Sequence, residues 1–470
     1  MLFSSMTFIF AFLPLVLAFY FLLPKSWRNG VLLAFSLLFY AWGEPVYVFL
    51  MIAAAAVNYL GALMLVRFEK MKKIIAALTV AIDLGLLIFF KYTGFILENL
   101  DQLFGISAEP WKLLMPIGIS FYIFQSISYL VDVYRKDIEP QRNFFKLLLF
   151  ISCFPQMIAG PIIKYHDVVS YLDKREEKFA DFAYGLKRFI LGLSKKMLIA
   201  NVLGMVADRV FEGSGVHYPV WMNYAGVLAY TFQIYYDFSG YSDMAIGLGA
   251  LFGFKFMENF NYPYISGSVT EFWRRWHISL STWFREYLYI PLGGNRVPPW
   301  RNTLNLLIVF LATGIWHGAS WNFVLWGLWH GSFIMIEKFF KLHKKTLHWS
   351  WRIVMHLYTI AVFYFGWILF RAESVSDALA MVKRMFGLAE KEMILVPWQM
   401  FLTNAEIMAF IAALIFAFPV SGRWAGVTPD RPDITCRRRW LVNGSLIILF
   451  ILSVLQIAAT TSNPFIYFRF

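Results

Sequence analysis

Apolar residues in this chain come in runs longer than a soluble core needs, and most charged residues fall between them. Runs long enough to cross a bilayer, or nearly so, cover about 5–23, 31–66, 74–92, 113–134, 144–163, 182–211, 219–257, 302–340, 352–370, 400–420 and 440–460. The second run exceeds one crossing and is interrupted by Gly43-Glu44-Pro45, so it reads as two helices, the first of them short. Runs 219–257 and 302–340 are each expected to hold two helices or a bent pair, giving roughly ten to thirteen membrane segments. No internal repeat, low-complexity tract or appended soluble domain interrupts the pattern. Residues 1–470 therefore read as a single membrane-embedded domain.

Basic residues orient these segments. Lys25 and Arg28, then Arg67, Lys70, Lys72 and Lys73, then Arg135, Lys136 and Arg142 mark three cytoplasmic loops, whereas 93–112 carries Glu98, Asp101 and Glu109 against Lys112. The alternation places the amino terminus outside. Arg423, Arg431 and Arg437 to Arg439 precede the last run and return Asn463 to Phe470 to the outer side. The basic stretches 164–196 and 274–301 do not fit simple crossings and are expected to be re-entrant or interfacial. Residues 1–23 lack a basic leader and a small-residue cleavage site, so they read as a retained first span.

Composition agrees with the pattern: 59% of residues are hydrophobic, 15% charged and 19% aromatic, proportions that no ordinary soluble domain requires. In a soluble protein a net charge of +13 would suggest nucleic acid as a partner. Here the excess sits in short loops, where it sets topology, and no nucleic acid is expected. Cys153 and Cys436 offer neither a disulfide framework nor a CxxC metal site.

Within this apolar background a few polar residues stand out. His317 lies in a stretch with no Lys, Arg, Asp or Glu between Arg301 and Glu337, where an ionisable group is costly and a working role is the default hypothesis. A packed interhelical histidine is the structural alternative. His330 lies thirteen positions further on, which on one straight helix would set the rings roughly 20 Å apart on different faces. A shared metal site would need a break near Gly318, and His330 reads as an interhelical histidine. Asp237, Ser239 and Asp243 sit among apolar residues and must face a cavity, a partner side chain or water.

The segment Thr270 to Ile290 reads as an interfacial helix. Trp273, Trp276, His277, Leu280, Phe284 and Tyr287 share one face, while Arg274 and Arg285 fall on another. Such a helix can anchor at the headgroups. Alternatively Arg274, Arg275 and Arg285 can meet the phosphates of an anionic cosubstrate such as an acyl coenzyme A.

The motif Phe272-Trp273-Arg274-Arg275-Trp276-His277-Ile278-Ser279-Leu280-Ser281-Thr282-Trp283, followed by Tyr287-Leu288-Tyr289-Ile290-Pro291-Leu292-Gly293-Gly294-Asn295-Arg296 and by Gly314-Ile315-Trp316-His317-Gly318, closely resembles the membrane-bound O-acyltransferase family. Within it the chain resembles the bacterial alginate O-acetyltransferase branch. Phe154 to Pro161, Asp237 to Ala245 and Pro464 to Phe468 extend the resemblance nearly end to end.

The resemblance implies an all-α polytopic fold, a ring of tilted membrane helices around a central tunnel with re-entrant and interfacial helices. It implies a catalytic His317 at mid-membrane, with His277 in a supporting catalytic position. Trp316, Asn322, Asp237, Ser239 and Asp243 join Arg274 and Arg275 as candidate substrate-binding residues. Acetyl would come from a cytosolic thioester, acetyl coenzyme A, with neither metal nor cofactor. It would leave toward an exported polysaccharide and a periplasmic acetyltransferase partner, across a bacterial inner membrane. A peptidoglycan O-acetyltransferase, a D-alanyl transferase acting on teichoic acid, and a transporter without bond chemistry are the competing readings. The last would be expected to show inverted repeats, which are not apparent here.

Overall fold

A computed structural model describes residues 1–105, 115–158, 160–212, 218–342, 348–388, 397, 401–420, 436–460 and 466, and these form helices with no strand among them. Outside them lie Glu109, Lys112, Ala159, Arg423, Arg431 and the carboxyl-terminal motif apart from Ile466; the side chains of Cys436 and Arg437 to Arg439 are likewise not described. Tyr47–Arg67, Glu69–Phe104, Phe179–Glu212, Trp349–Arg371 and Trp440–Ala459 are long and apolar enough to cross a bilayer, and Phe8–Leu22 and Asn404–Phe416 are shorter apolar helices. This is an all-α, multi-pass membrane chain.

Its described residues group into two compact units, Met1–Leu186 with Met244–Met257, and Lys187–Asp243 with Glu258–Phe470. In the first, the interruption at Gly43-Glu44-Pro45 separates helices Arg28–Ala41 and Tyr47–Arg67, as the hydropathy required. Lys136 Nζ meets Glu69 Oε1 at 2.8 Å, which puts two of the basic loops on one side of the membrane. Arg28 pairs with Glu177 at 2.5 Å and Asn29 donates to the Leu172 carbonyl, so the basic stretch after residue 164 lies on the side of the first basic loop. Between the spans, fully buried Asn58 donates to Asp83 Oδ1 at 2.9 Å, giving one oxygen of a buried carboxyl group that lipid would reject a partner.

In the second unit, run 302–340 is a helical hairpin, Pro299–His317 and Trp321–Phe339, broken at Gly318. Its two arms touch backbone to backbone. A Cβ on Gly314 would stand 2.3 Å from the Phe323 carbonyl oxygen, and one on Gly327 would stand 2.4 Å from that of Phe310. In a membrane, where water does not drive helices together, such glycines permit the close packing that does.

Two expectations about helix limits fail. Run 219–257 is one helix, Val220–Leu251, rather than a broken or bent pair. Its polar centre needs no break, because the carboxylates of Asp237 and Asp243 find cationic partners on a neighbouring helix. Conversely, the interfacial segment is two short helices, Val269–Arg275 and Ile278–Phe284, parted at His277, whose φ is 42°. The break is held from outside the segment. Asn261 N–H donates to the Arg275 carbonyl and Ile278 N–H to the Asn259 carbonyl, each at 2.9 Å. Trp273 and His277 therefore do not lie on one continuous helical stripe.

Candidate active site

His317 is the last residue of its helix and is buried, at 4% exposure. Gly318 turns extended immediately after it, so the imidazole stands at the tip of the glycine-packed hairpin rather than along a lipid-facing side. The rings of Trp316, Trp326 and Phe370 meet it edge to face with centroids 5.0, 5.1 and 5.1 Å away. Beside it is a narrow cavity, with free space for about one water molecule, lined by Ile234, Phe238, Trp276, His317, Trp326, Trp367, Phe370 and Ile466. Among the described lining residues one titratable side chain thus faces an apolar, largely aromatic space.

The break at Gly318 also changes the relation between the two hairpin histidines. His330 packs edge to face on the same Trp326 indole, at 5.1 Å, and on Trp273 at 5.1 Å. Neither of its ring nitrogens has a hydrogen-bond partner among the described residues, although it is fully buried. It is interhelical, seated in a gap left by Gly366, but held by aromatic contacts rather than by hydrogen bonds.

The three polar candidates on helix Val220–Leu251 lie away from the cavity lining. Lys196 Nζ donates to Asp237 Oδ1 at 2.5 Å, with both side chains buried, and Asp237 Oδ2 accepts the Ile466 N–H at 2.7 Å. Asp243 pairs with Arg188 at 2.5 Å and with Lys195 at 2.6 Å, and Arg188 also reaches Glu258. Ser239 is buried, and its hydroxyl has no partner among the described residues. Lys195 and Lys196 both reach one helix because Lys195–Ala200 is a π-helical turn, and because Gly240 lies against the Gly192 carbonyl, where a Cβ would stand 2.7 Å away. Asp237 nonetheless acts on the cavity at one remove, since Ile466, whose backbone it holds, forms part of the wall.

Asn322 donates to the Ala372 carbonyl at 2.5 Å, tying the hairpin to the end of helix Trp349–Arg371. Trp316 is buried between the two motif histidines, 5.0 Å from His317 and 6.2 Å from His277. Arg274 is exposed, whereas Arg275 is half-buried and committed to Glu271 at 2.9 Å and to the Asn261 carbonyl at 3.1 Å. The two arginines are therefore not equivalent.

Several residues escaped the sequence reading. Glu337, fully buried, accepts the N–H groups of Val269 and Thr270 at 2.6 and 2.9 Å and so fastens the start of the motif helix to the hairpin. Arg188, Lys195 and Lys196 were signalled only by being cations inside an apolar run. Trp367 and Phe370 are two of many aromatics in an apolar span, and nothing in the sequence marks them as cavity walls.

The membrane-bound O-acyltransferase family model matches residues 140–376, half of the chain, and includes both motif histidines. The probable alginate O-acetylase AlgI of Azotobacter vinelandii is 39% identical, and that of Pseudomonas putida is 38% identical, each covering all of both chains. The peptidoglycan O-acetyltransferase of Helicobacter pylori is 37% identical over 83% of this chain and 80% of its own length. The chain belongs to the membrane-bound O-acyltransferase family, as a multi-pass inner-membrane acyltransferase of its alginate O-acetylase-like branch.

Proposed function

We propose that this protein moves acetyl from a cytosolic thioester, acetyl coenzyme A, through the His317 cavity toward hydroxyl groups of an exported polysaccharide of the alginate type. A periplasmic acetyltransferase would take part on the outer side. The observation that carries the reading is His317 itself, one imidazole at the tip of a glycine-packed hairpin, bordering a narrow aromatic cavity. As an alcohol oxygen attacks the thioester carbonyl, Nε2 or Nδ1 of His317 takes the hydroxyl proton. When the tetrahedral intermediate collapses, the C–S bond breaks and the thiolate recovers that proton, leaving an ester and a free thiol. The apolar walls keep out water that would hydrolyse the thioester.

Arg274, exposed on the motif helix, is the better placed of the two arginines to meet the donor's phosphates, with Arg275 ordering the helix through Glu271. A peptidoglycan acceptor is the second reading, supported by the similarity to the Helicobacter pylori enzyme. Purified protein in vesicles, given labelled acetyl, D-alanyl and longer acyl thioesters, tests the donor. Transfer from acetyl coenzyme A to a polyuronate supports the proposal, and transfer confined to glycan strands of peptidoglycan or to D-alanyl donors overturns it.

A further inference from the structure

The cavity beside His317 has room for about one water molecule, and the eight residues that line it are each 5% exposed or less. An acceptor hydroxyl therefore reaches the imidazole only when part of this wall moves. Which part follows from the side of the membrane each wall faces. Lys338, Lys341, Lys344 and Lys345 precede helix Trp349–Arg371, so its start is cytoplasmic and its end, with Phe370 and Arg371, faces outward. The hairpin tip meets that same end, where Asn322 donates to the Ala372 carbonyl.

From His317 outward the side chains come in layers. Phe370, 3% exposed, packs against the imidazole at 5.1 Å and against Trp326 and Phe323 at 5.0 and 5.1 Å. Arg371 follows it, with its guanidinium 5.4 Å from the Phe211 ring and 6.0 Å from that of Tyr230. Tyr230 stands one helical turn before Ile234, another cavity residue, so the guanidinium lies just beyond the wall. Next come two carboxylates. Arg371 Nη2 donates to Asp208 Oδ1 at 2.8 Å and to Glu212 Oε1 at 2.5 Å. The Arg371 side chain is 5% exposed, whereas those of Asp208 and Glu212 are 34% and 48% exposed. Two layers therefore separate the imidazole from groups that solvent reaches, and Phe370 is the inner one.

We infer that Phe370 is the specificity-determining residue on the acceptor side of the cavity, the ring that must swing aside to admit a hydroxyl and that otherwise excludes water. Arg371 is its positioning residue, fixing the last turn of the helix by its grip on Asp208 and Glu212. The inference rests on the reaction proposed above, in which the acceptor arrives from outside. Releasing Arg371 frees the turn that carries the ring.

The test measures access to the His317 position without relying on acyl transfer. His317→Cys in the full-length protein is treated with a small, membrane-impermeant cationic thiosulfonate in right-side-out and in inside-out vesicles, and the same protein retaining His317 gives the background from Cys153 and Cys436. With Phe370 present the introduced thiol should be protected from the outer side. Adding Phe370→Ala should speed outer-side labelling by about tenfold or more and leave inner-side labelling unchanged, because thiol reactivity follows exposure. No acceleration, or equal acceleration from both sides, overturns the inference.

Arg371→Met should likewise speed outer-side labelling with Phe370 intact, and Arg371→Lys, which keeps a cation within reach of the same carboxylates, should restore most of the protection. A merely structural Arg371 would lower the melting midpoint in both variants without this difference in labelling, which would remove its positioning role. If Phe370→Ala does not insert, the methionine and lysine pair decides alone. With His317 in place, Phe370→Ala should also raise acceptor-independent hydrolysis of acetyl coenzyme A relative to transfer by about tenfold, since water then enters; an unchanged ratio in an active variant overturns the inference. Absence of transfer by the unsubstituted protein would instead defeat the proposed reaction, which the labelling arms do not need.

Discussion

Lys196→Met should be among the most destabilising single changes in the molecule. Its ammonium group and the Asp237 carboxylate are 1% and 4% exposed and 2.5 Å apart. Removing the cation leaves a buried carboxylate whose remaining bond among the described residues is the Ile466 N–H at 2.7 Å. Breaking a buried pair from one side costs about 3–5 kcal/mol, whereas replacing both partners with apolar groups of similar size is often close to neutral. Lys196→Met should therefore lower the melting midpoint in detergent by about 5 °C or more, and adding Asp237→Leu should recover most of the loss. The doubly substituted protein should be folded yet impaired in transfer, because Asp237 no longer fastens Ile466 against the cavity. Fluorescence-detected size-exclusion melting and an acyl-transfer assay on the same preparations read both effects. If Lys196→Met melts like the parent, or if the double substitution is no more stable than the single one, the pair is not the buried structural unit described. A direct substrate contact for Asp237 would then regain the advantage.

Arg274→Ala should raise the donor KM more than Arg275→Ala does, with Arg275→Ala acting chiefly on stability; equal or reversed KM effects would remove the phosphate contact from Arg274. Gly314→Ala should cost about 1–3 kcal/mol and lower transfer, because its methyl group meets a backbone carbonyl that cannot give way and displaces the hairpin tip; unchanged activity would show that the tip is not so constrained. At the edge of the first unit, Asp132 and then Asp167 hold the His166 imidazolium and raise its pKa to about 9. This raised value contributes stability that is complete below the unfolded histidine's pKa of about 6.5 and is lost as the pH rises through about 9. His166 is partly exposed, so solvent screening limits the contribution to of order 1 kcal/mol. Melting midpoints from pH 6 to 10 should show that alkaline decline in the parent and a flatter curve in His166→Gln, and identical curves would dismiss the pair.

How far the sequence reveals the molecule depends on the range of the interactions involved. Gly43-Glu44-Pro45 ends a helix by local chemistry, and the hairpin turn at Gly318 follows from a run too long for one crossing. The paired basic loops at Glu69 and Lys136 followed from charge alone, since topology is set by where cations stop. Asp237 and Asp243 were legible as groups needing a partner, a cavity or water. Which of these applied depended on Arg188, Lys195 and Lys196, whose long side chains come from a separate helix. The break at His277 was hidden for a related reason. Its left-handed backbone is held by hydrogen bonds with Asn259, whose carbonyl accepts, and Asn261, whose N–H donates, beyond the reach of a helical periodicity. Cavity walls such as Trp367, Phe370 and Ile466 are equally opaque, because inside a bilayer an aromatic facing lipid and one facing a cavity obey the same composition.

The central claim is that His317 serves as the base for acyl transfer in its aromatic cavity. The most direct measurement compares His317→Ala with the parent in vesicles, following labelled acetyl from acetyl coenzyme A to an acceptor, alongside a melting curve for each. The account predicts a fall of at least about a hundredfold with the melting midpoint nearly unchanged. Transfer at the parental rate from the folded variant would contradict it.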